Sequence, residues 1–196
     1  MKKRGFTLLE TLVALAILSI ALSGVFGLLP RGLVGARSAM NQIIANNLAI
    51  EAMELVRNMR DNSMFFGGGG TDDPDAWLGK LRICKESLCY VDPVNHTVWA
   101  CDEESGCPIL QRRMFDGDIE IYGNGSDFST SASTPTIFKR TISIKDVNNP
   151  VPRPDGTSRT NVEVLVRVLV TWKDGGRVDK SMAVESNLFD WLTYDK

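Results

Sequence analysis

The chain has a single histidine and four cysteines among its 196 residues. The single histidine limits the acid–base chemistry that the protein can perform. His96 follows Asp92-Pro93-Val94-Asn95, a composition typical of a turn. No second base and no orienting group stand near it in the pattern that activates a nucleophile. We therefore expect no catalytic residues and predict that the protein is not an enzyme.

Two further absences argue against nucleic-acid binding and against a phosphate-binding loop. The 22 basic residues are outnumbered by 24 acidic ones, so the formal net charge is -2 and no basic stripe is present. Without such a stripe there is no electrostatic basis for nucleic-acid binding, and none is predicted. Residues 67–70 are four glycines, but they lack the Gly-Lys-Ser/Thr ending of a phosphate-binding loop.

The feature that is present is a long apolar run near the start. Residues 6–29 contain one charged residue, Glu10, and as a helix they would extend about 36 Å. That length is sufficient to cross a bilayer. Because the basic residues Lys2, Lys3 and Arg4 come directly before the run, we expect the N-terminus in the cytoplasm and the later residues to be exported.

A secretory signal peptide is the first alternative, and two details oppose it. Its apolar region usually spans about 7 to 15 residues and ends at a cleavage site of small residues. Here the run is longer, and the small residue Gly5 precedes it. Glu10 also needs a partner, since a carboxylate inside a membrane costs about 2.5 to 3.5 kcal/mol on insertion scales. Cleavage after Gly5 would create one, the positively charged amino group of Phe6.

The sequence KRGFTLLE, followed by an apolar helix, resembles the signal of type IV pilins and type II secretion pseudopilins. The resemblance implies that a prepilin peptidase cuts between Gly5 and Phe6 and methylates the Phe6 amino group. It also implies that Glu10 directs assembly. The partners implied are the prepilin peptidase and methylase, other pilin or pseudopilin subunits, an inner-membrane assembly platform, and the lipid bilayer before assembly. An ordinary signal anchor with a chance glutamate is the alternative.

The helical pattern continues after the apolar run and becomes amphipathic. Apolar residues recur there at helical spacing, which predicts a stripe that packs on the exported domain. The stripe comprises Met40, Ile44, Leu48, Ala52, Leu55 and Met59. Glu54 and Arg57 stand three residues apart and can pair on the exposed side. Pro30 predicts a kink or a loosened segment near the junction.

The four cysteines, Cys84, Cys89, Cys101 and Cys107, all fall within residues 81–111. In an exported domain four cysteines most often form two disulfides. Their spacing is looser than that of common zinc sites, so zinc and free thiols are the less favoured alternatives. Three pairings are possible, and the sequence does not choose among them.

The last third of the chain has the alternation of β-strands. Valine occupies every second position from Val162 to Val170, and residues 137–145 and 177–185 alternate similarly. With an Asp174-Gly175 turn, these runs predict an antiparallel meander whose apolar face needs a cover. We also expect an edge strand at residues 119–122 and a mobile segment at residues 123–136. Near the end of the chain, Phe189, Trp191 and Leu192 are expected to enter the core.

We thus expect an α+β, pilin-like fold in which a long N-terminal helix packs on a C-terminal antiparallel sheet. The predicted parts are a leader (1–5), a transmembrane and filament-core helix (6–29), its amphipathic continuation (30–62), a Gly-rich linker (63–75) and an exported β domain (76–196). The functional expectation is a minor pilin or pseudopilin, stored in the cytoplasmic membrane and then assembled into a periplasmic or cell-surface filament. The alternative is a single-pass anchored binding module that does not assemble.

No metal or cofactor is predicted, although calcium stays open as an alternative because some pseudopilins that resemble this chain bind it. The acidic residues in predicted loops lack the pattern of an EF-hand, so a solvated surface is the preferred interpretation. These residues are Asp72, Asp73 and Asp75; Asp102, Glu103 and Glu104; and Asp116, Asp118 and Glu120.

Overall fold

The computed structural model describes residues 7–66, 75–115, 119–130, 132–147, 150–152, 156, 158–160, 162–175 and 178–191, without the side chains of 25–29, 151, 159 and 178. The chain divides into two compact units, residues 1–42 and residues 43–196. The elements in chain order are α1 (Leu8–Phe66), a 3₁₀ helix (Ala76–Arg82), α2 (Ile83–Glu86), β1 (Cys89–Asp92), β2 (Thr97–Ala100), β3 (Ile109–Phe115), β4 (Ile119–Gly123), a second 3₁₀ helix (Ser126–Phe128), β5 (Ser133–Asp146), β6 (Val151–Pro152), β7 (Ser158–Arg159), β8 (Glu163–Asp174) and β9 (Val178–Phe189).

The helix α1 is 59 residues long and contains Pro30 in its interior. The kink or loosened segment that the sequence predicts near Pro30 stays a prediction. The helix also includes residues 63–66, the first part of the predicted linker, whereas residues 67–74 lie outside the described residues.

The main sheet is antiparallel and is built around the long strand β5. One edge of β5 pairs with β8, which pairs with β9 on its other side. The opposite edge of β5 is shared: its first half pairs with β3, and Ile142 in its second half pairs with Cys89 of β1. The predicted meander is confirmed as β5, β8 and β9, and the predicted edge strand is confirmed as β4, which pairs with β3.

The valine alternation of β8 faces the core, as the sequence predicts. Val164, Val166, Val168 and Val170 are all fully buried. The strand then turns at Gly175, whose φ of 60° is a conformation that glycine adopts without strain, and Asp174 pairs with Val178 across the hairpin.

The second half of α1 covers this sheet. From Ala45 onward the helix presents a buried stripe to the strands, and its three alanines let the backbones approach closely. The stripe comprises Ala45, Leu48, Ala49, Ala52, Met53, Val56 and Met59. The predicted packing of helix on sheet is thus confirmed, and the protein is α+β with an N-terminal long helix and a C-terminal antiparallel sheet. Met40 does not join the stripe, because its side chain is 64% exposed.

Two predictions about the C-terminal half are wrong. Phe189 and Trp191 are about half exposed rather than in the core, since strand alternation turns Leu188 inward and Phe189 outward; Leu192 lies outside the described residues. The predicted mobile segment 123–136 contains a 3₁₀ helix whose Phe128 is buried, and β5 already begins at Ser133. Burial of the Phe128 ring removes a large apolar area from water, which favours an ordered segment here.

Candidate functional site

The described chain starts next to the predicted processing site. Gly5 and Phe6 lie outside the described residues. Thr7 caps α1: its hydroxyl oxygen accepts a hydrogen bond from the Glu10 N–H at 3.3 Å, and its carbonyl oxygen accepts one from the Thr11 N–H at 3.3 Å. Glu10 therefore occupies the first turn, where the helix dipole favours a negative charge.

The start of α1 exposes an unusually apolar surface. Nine large apolar side chains between Leu8 and Leu22 are each 47% to 78% exposed. Hydroxyl groups in this stretch bond inward, because Thr11, Ser19 and Ser23 donate to backbone carbonyl oxygens of the same helix. A contiguous apolar surface of this kind marks a site that another apolar surface covers.

Over the described parts of the chain, no helix combines the length and the apolarity that a bilayer crossing requires. The membrane span predicted for residues 6–29 stays a prediction.

The comparison with known families decides what this N-terminal segment is. Residues 1–26 match the family model of the prokaryotic N-terminal methylation motif. The chain carries the type IV pilin and pseudopilin signal. The resemblance of KRGFTLLE to that signal is thereby confirmed, and the match covers the methylation motif rather than the rest of the chain. No curated protein and no solved structure matches the chain.

The four cysteines form two disulfides in the structure, so that prediction is confirmed. Cys84 pairs with Cys89 across Cα atoms 5.4 Å apart, and Cys101 pairs with Cys107 across 4.5 Å. Both distances lie in the normal range for disulfides. Because no cysteine is free, none of them offers a thiolate to zinc.

Where the structure describes the acidic clusters, their carboxylates form hydrogen bonds or ion pairs with other residues of the chain. The Asp102 carboxylate accepts hydrogen bonds from the Ser105 N–H and hydroxyl and from the Glu104 N–H, and these bonds lower the Asp102 pKa. Asp75 lies 2.8 Å from Lys85 Nζ, and Glu120 lies 3.1 Å from Arg112 Nη1. Four further predicted cluster members lie outside the described residues: Asp72, Asp73, Asp116 and Asp118.

No three His, Cys, Asp or Glu side chains come together as a metal site in the part of the chain that the structure describes. The calcium alternative stays untested. His96 is an exposed turn residue with a φ of 48°, as the turn prediction implies. The turn is closed by Asp92, whose Oδ1 accepts hydrogen bonds from the Val94 and Asn95 N–H groups.

The sequence did not predict a groove of about 830 Å³ in the compact unit of residues 43–196. Its walls are the β1–β2 hairpin, the start of β3 and the segment that follows β4. It is lined by Tyr90, Asp92, Asn95, Thr97, Trp99, Pro108, Ile109, Gln111, Asn124, Gly125, Ser126, Phe128, Ser129 and Thr130. The only sequence signal for it is the pair of short alternating runs on either side of the turn at Asp92, which identify a hairpin but not its neighbours.

Proposed function

We propose that the protein is a structural subunit, a minor pilin or pseudopilin, of a type IV filament system. It enters the cytoplasmic membrane as a prepilin with its N-terminus in the cytoplasm, is cut after Gly5 and is methylated at Phe6. The observation that carries this proposal is the methylation motif at residues 1–26 on a helix whose apolar side chains are exposed. The protein acts by assembly and not by catalysis.

The apolar surface of α1 supplies the driving force for assembly. Outside lipid, the exposed side chains from Leu8 to Leu22 would contact water, which is unfavourable by about 25 cal/mol for each Å² of apolar area. Packing against equivalent helices of neighbouring subunits removes that area from water. The exported domain stays folded during this transfer because its own core lies between the later part of α1 and the sheet.

Glu10 supplies the axial register. It is the only charged residue in the apolar run, so inside a bundle of apolar helices its carboxylate needs a positive partner. Removal of the leader gives each subunit such a partner, the amino group of Phe6. Pairing between Glu10 of one subunit and Phe6 of the next fixes how far the two helices slide past each other.

The direct test is the mass of the N-terminal peptide from membranes of cells that co-express a prepilin peptidase. The expected product begins at N-methylated Phe6, and Gly5→Ala is expected to leave residues 1–5 attached. Cells without the peptidase are the matched control. If residues 1–5 stay attached to the unsubstituted chain when an active peptidase is present, the filament proposal is wrong, and an anchored binding module is the better account.

A further inference from the structure

We propose that the groove between the β1–β2 hairpin, β3 and residues 124–130 binds a neutral carbohydrate. This goes beyond assembly, because the groove belongs entirely to the exported domain. A volume of about 830 Å³ falls within the range of small-molecule sites, about 300 to 1,000 Å³. The nature of its walls identifies the class of ligand.

Two neighbouring aromatic residues line the groove. Tyr90 on β1 and Trp99 on β2 are directly paired across the hairpin, so their side chains lie on the same face of the sheet. Trp99 is 54% exposed, and its Nε1 donates to the Thr97 hydroxyl at 3.2 Å, which holds the ring in place. An exposed, immobilised indole suits the apolar C–H face of a sugar ring.

The rim supplies uncharged hydrogen-bonding groups of the kind that sugar hydroxyls need. Hydroxyls and amides both donate and accept, and they come from the hairpin, β3 and the 124–130 segment. These groups belong to Thr97, Gln111, Ser126, Ser129 and Thr130. Asn95 offers only its amide oxygen, because its amide hydrogens go to Asp92 and Asp127, and the Ser129 hydroxyl also donates to the Gly125 carbonyl oxygen. Lysine, arginine and histidine are missing from the described residues that line the groove, and Asp92 is acidic. The lining therefore opposes an anionic ligand. The Asp92 carboxylate already accepts hydrogen bonds from the Val94 and Asn95 N–H groups and the Asn95 side-chain amide, so a neutral ligand is favoured over a cationic one.

The groove is held in shape before any ligand arrives. The Asn95 side-chain amide donates to Asp92 Oδ2 at 2.9 Å and to Asp127 Oδ2 at 2.7 Å, which joins the hairpin turn to the opposite wall. Asn124 donates to the Ile109 carbonyl oxygen at 2.7 Å. Gly125 has a φ of 130°, and a Cβ there would collide with the Asp92 carboxylate. A preformed site loses less entropy on binding, which matters for a ligand held mainly by hydrogen bonds.

The test is titration of the full-length protein in micelles of an amine-oxide detergent, which has no sugar headgroup. The neutral probes are maltohexaose, cellohexaose and chitohexaose, and the anionic probe is hexagalacturonate. We expect at least one neutral probe to bind in isothermal titration calorimetry at concentrations up to about 10 mM and to do so more tightly than hexagalacturonate. Since the protein is measured as isolated subunits, the result does not depend on leader processing or assembly.

The chain offers a matched pair of variants. Trp99→Ala is expected to weaken binding by about tenfold or more, as for an aromatic anchor at the centre of a site. Trp191→Ala removes a tryptophan of similar exposure, 47%, from outside the groove and is expected to leave the affinity unchanged. Ser126→Tyr, at an exposed position on the rim, is expected to block the groove without disturbing the core.

Three results would overturn the proposal. One is that none of the neutral probes binds, and another is that hexagalacturonate binds more tightly than all of them. The third is that binding persists in both Trp99→Ala and Ser126→Tyr, which would place the ligand elsewhere. Because Ser126→Tyr leaves the hairpin untouched, it keeps the test decisive even if Trp99→Ala misfolds.

Discussion

Arg140 of β5 donates through Nη1 to Glu51 Oε2 of α1 at 2.9 Å, and this pair fastens the helix to the middle of the sheet. The two charges are placed unequally. Arg140 is 1% exposed and also donates to the Leu48 carbonyl oxygen at 3.1 Å, whereas the Glu51 side chain is 37% exposed. Burial lowers the Arg140 pKa, and the Glu51 charge opposes that effect. Removing Glu51 and removing Arg140 should therefore lower the free energy of unfolding by different amounts.

The first prediction concerns this inequality. Glu51→Ala leaves a buried guanidinium without its counter-charge and should lower the free energy of unfolding by about 2 kcal/mol, less than a fully buried pair because Glu51 is partly exposed. Arg140→Met leaves a carboxylate that water can solvate and should cost about 1 kcal/mol or less. Urea unfolding of the full-length protein in detergent, followed by circular dichroism, measures both values.

Glu54→Ala is the control for the Glu51 variant. It breaks the exposed ion pair in which Arg57 Nη1 lies 2.6 Å from Glu54 Oε1. This is the pair that the sequence predicts, so that prediction is confirmed. Exposed pairs of this kind contribute about 0 to 1 kcal/mol. A loss in Glu51→Ala no larger than in Glu54→Ala would show that the Arg140 charge does not depend on Glu51.

The two disulfides provide the second prediction. They close loops of similar size, with separations of five and six residues, so a chain-entropy estimate gives each about 2 kcal/mol. Cys84 and Cys89 are buried at 1% and 0% exposure, whereas Cys101 is only partly buried and its partner Cys107 is 4% exposed. Replacing Cys84 and Cys89 by alanine should therefore cost more than replacing Cys101 and Cys107, by about 1 kcal/mol of lost packing. The comparison uses urea midpoints under non-reducing conditions, and equal losses would contradict it.

Local sequence patterns predicted the helices and strands, whereas contacts between residues far apart in the chain could not be predicted from those patterns. The valines of β8 alternate within a single strand, so the buried face follows from period alone. Glu51 and Arg140 are 89 residues apart, and no local pattern reports that contact. The same limit applies to the groove, because the pairing of Tyr90 with Trp99 depends on hairpin register. The core position predicted for Phe189 from its hydrophobicity is wrong, because the alternation of side chains along β9 turns Phe189 outward.

Lys85 gives a pH-dependent prediction. Its Nζ lies 2.8 Å from Asp75 Oδ2 and 2.7 Å from Asp146 Oδ1, at 15% exposure. Burial lowers the Lys85 pKa, but hydrogen bonds and charge from Asp146 and Asp75 outweigh it, and the pKa is raised above its ordinary value of 10.5. Because the folded-state pKa is the higher one, this stabilisation is complete below pH 10.5 and is lost as the pH rises through the folded-state pKa.

Lys85→Met should therefore lower the free energy of unfolding at neutral pH by about 1 to 2 kcal/mol. Above pH 10.5 the free energy of unfolding of this variant should decrease less steeply with pH than that of the unsubstituted protein. Lys145→Met, at an exposed lysine on β5, is the control for ionisation of other groups in that range. Urea unfolding at a series of pH values between neutrality and strong alkali supplies the measurement. Identical pH profiles for the two variants would contradict the prediction.

The last prediction separates membrane insertion from assembly at Glu10. Glu10→Val removes the one charge from the apolar run, so insertion and cleavage after Gly5 should continue, while recovery in sheared filaments should fall by about tenfold or more because the register-setting partner of Phe6 is lost. Thr11→Val is the matched control, since it also makes the first turns more apolar and removes only a hydroxyl bonded to the Leu8 carbonyl oxygen. Quantitative immunoblots of membrane and filament fractions measure both. Normal recovery of Glu10→Val in filaments would show that the apolar surface alone sets the register.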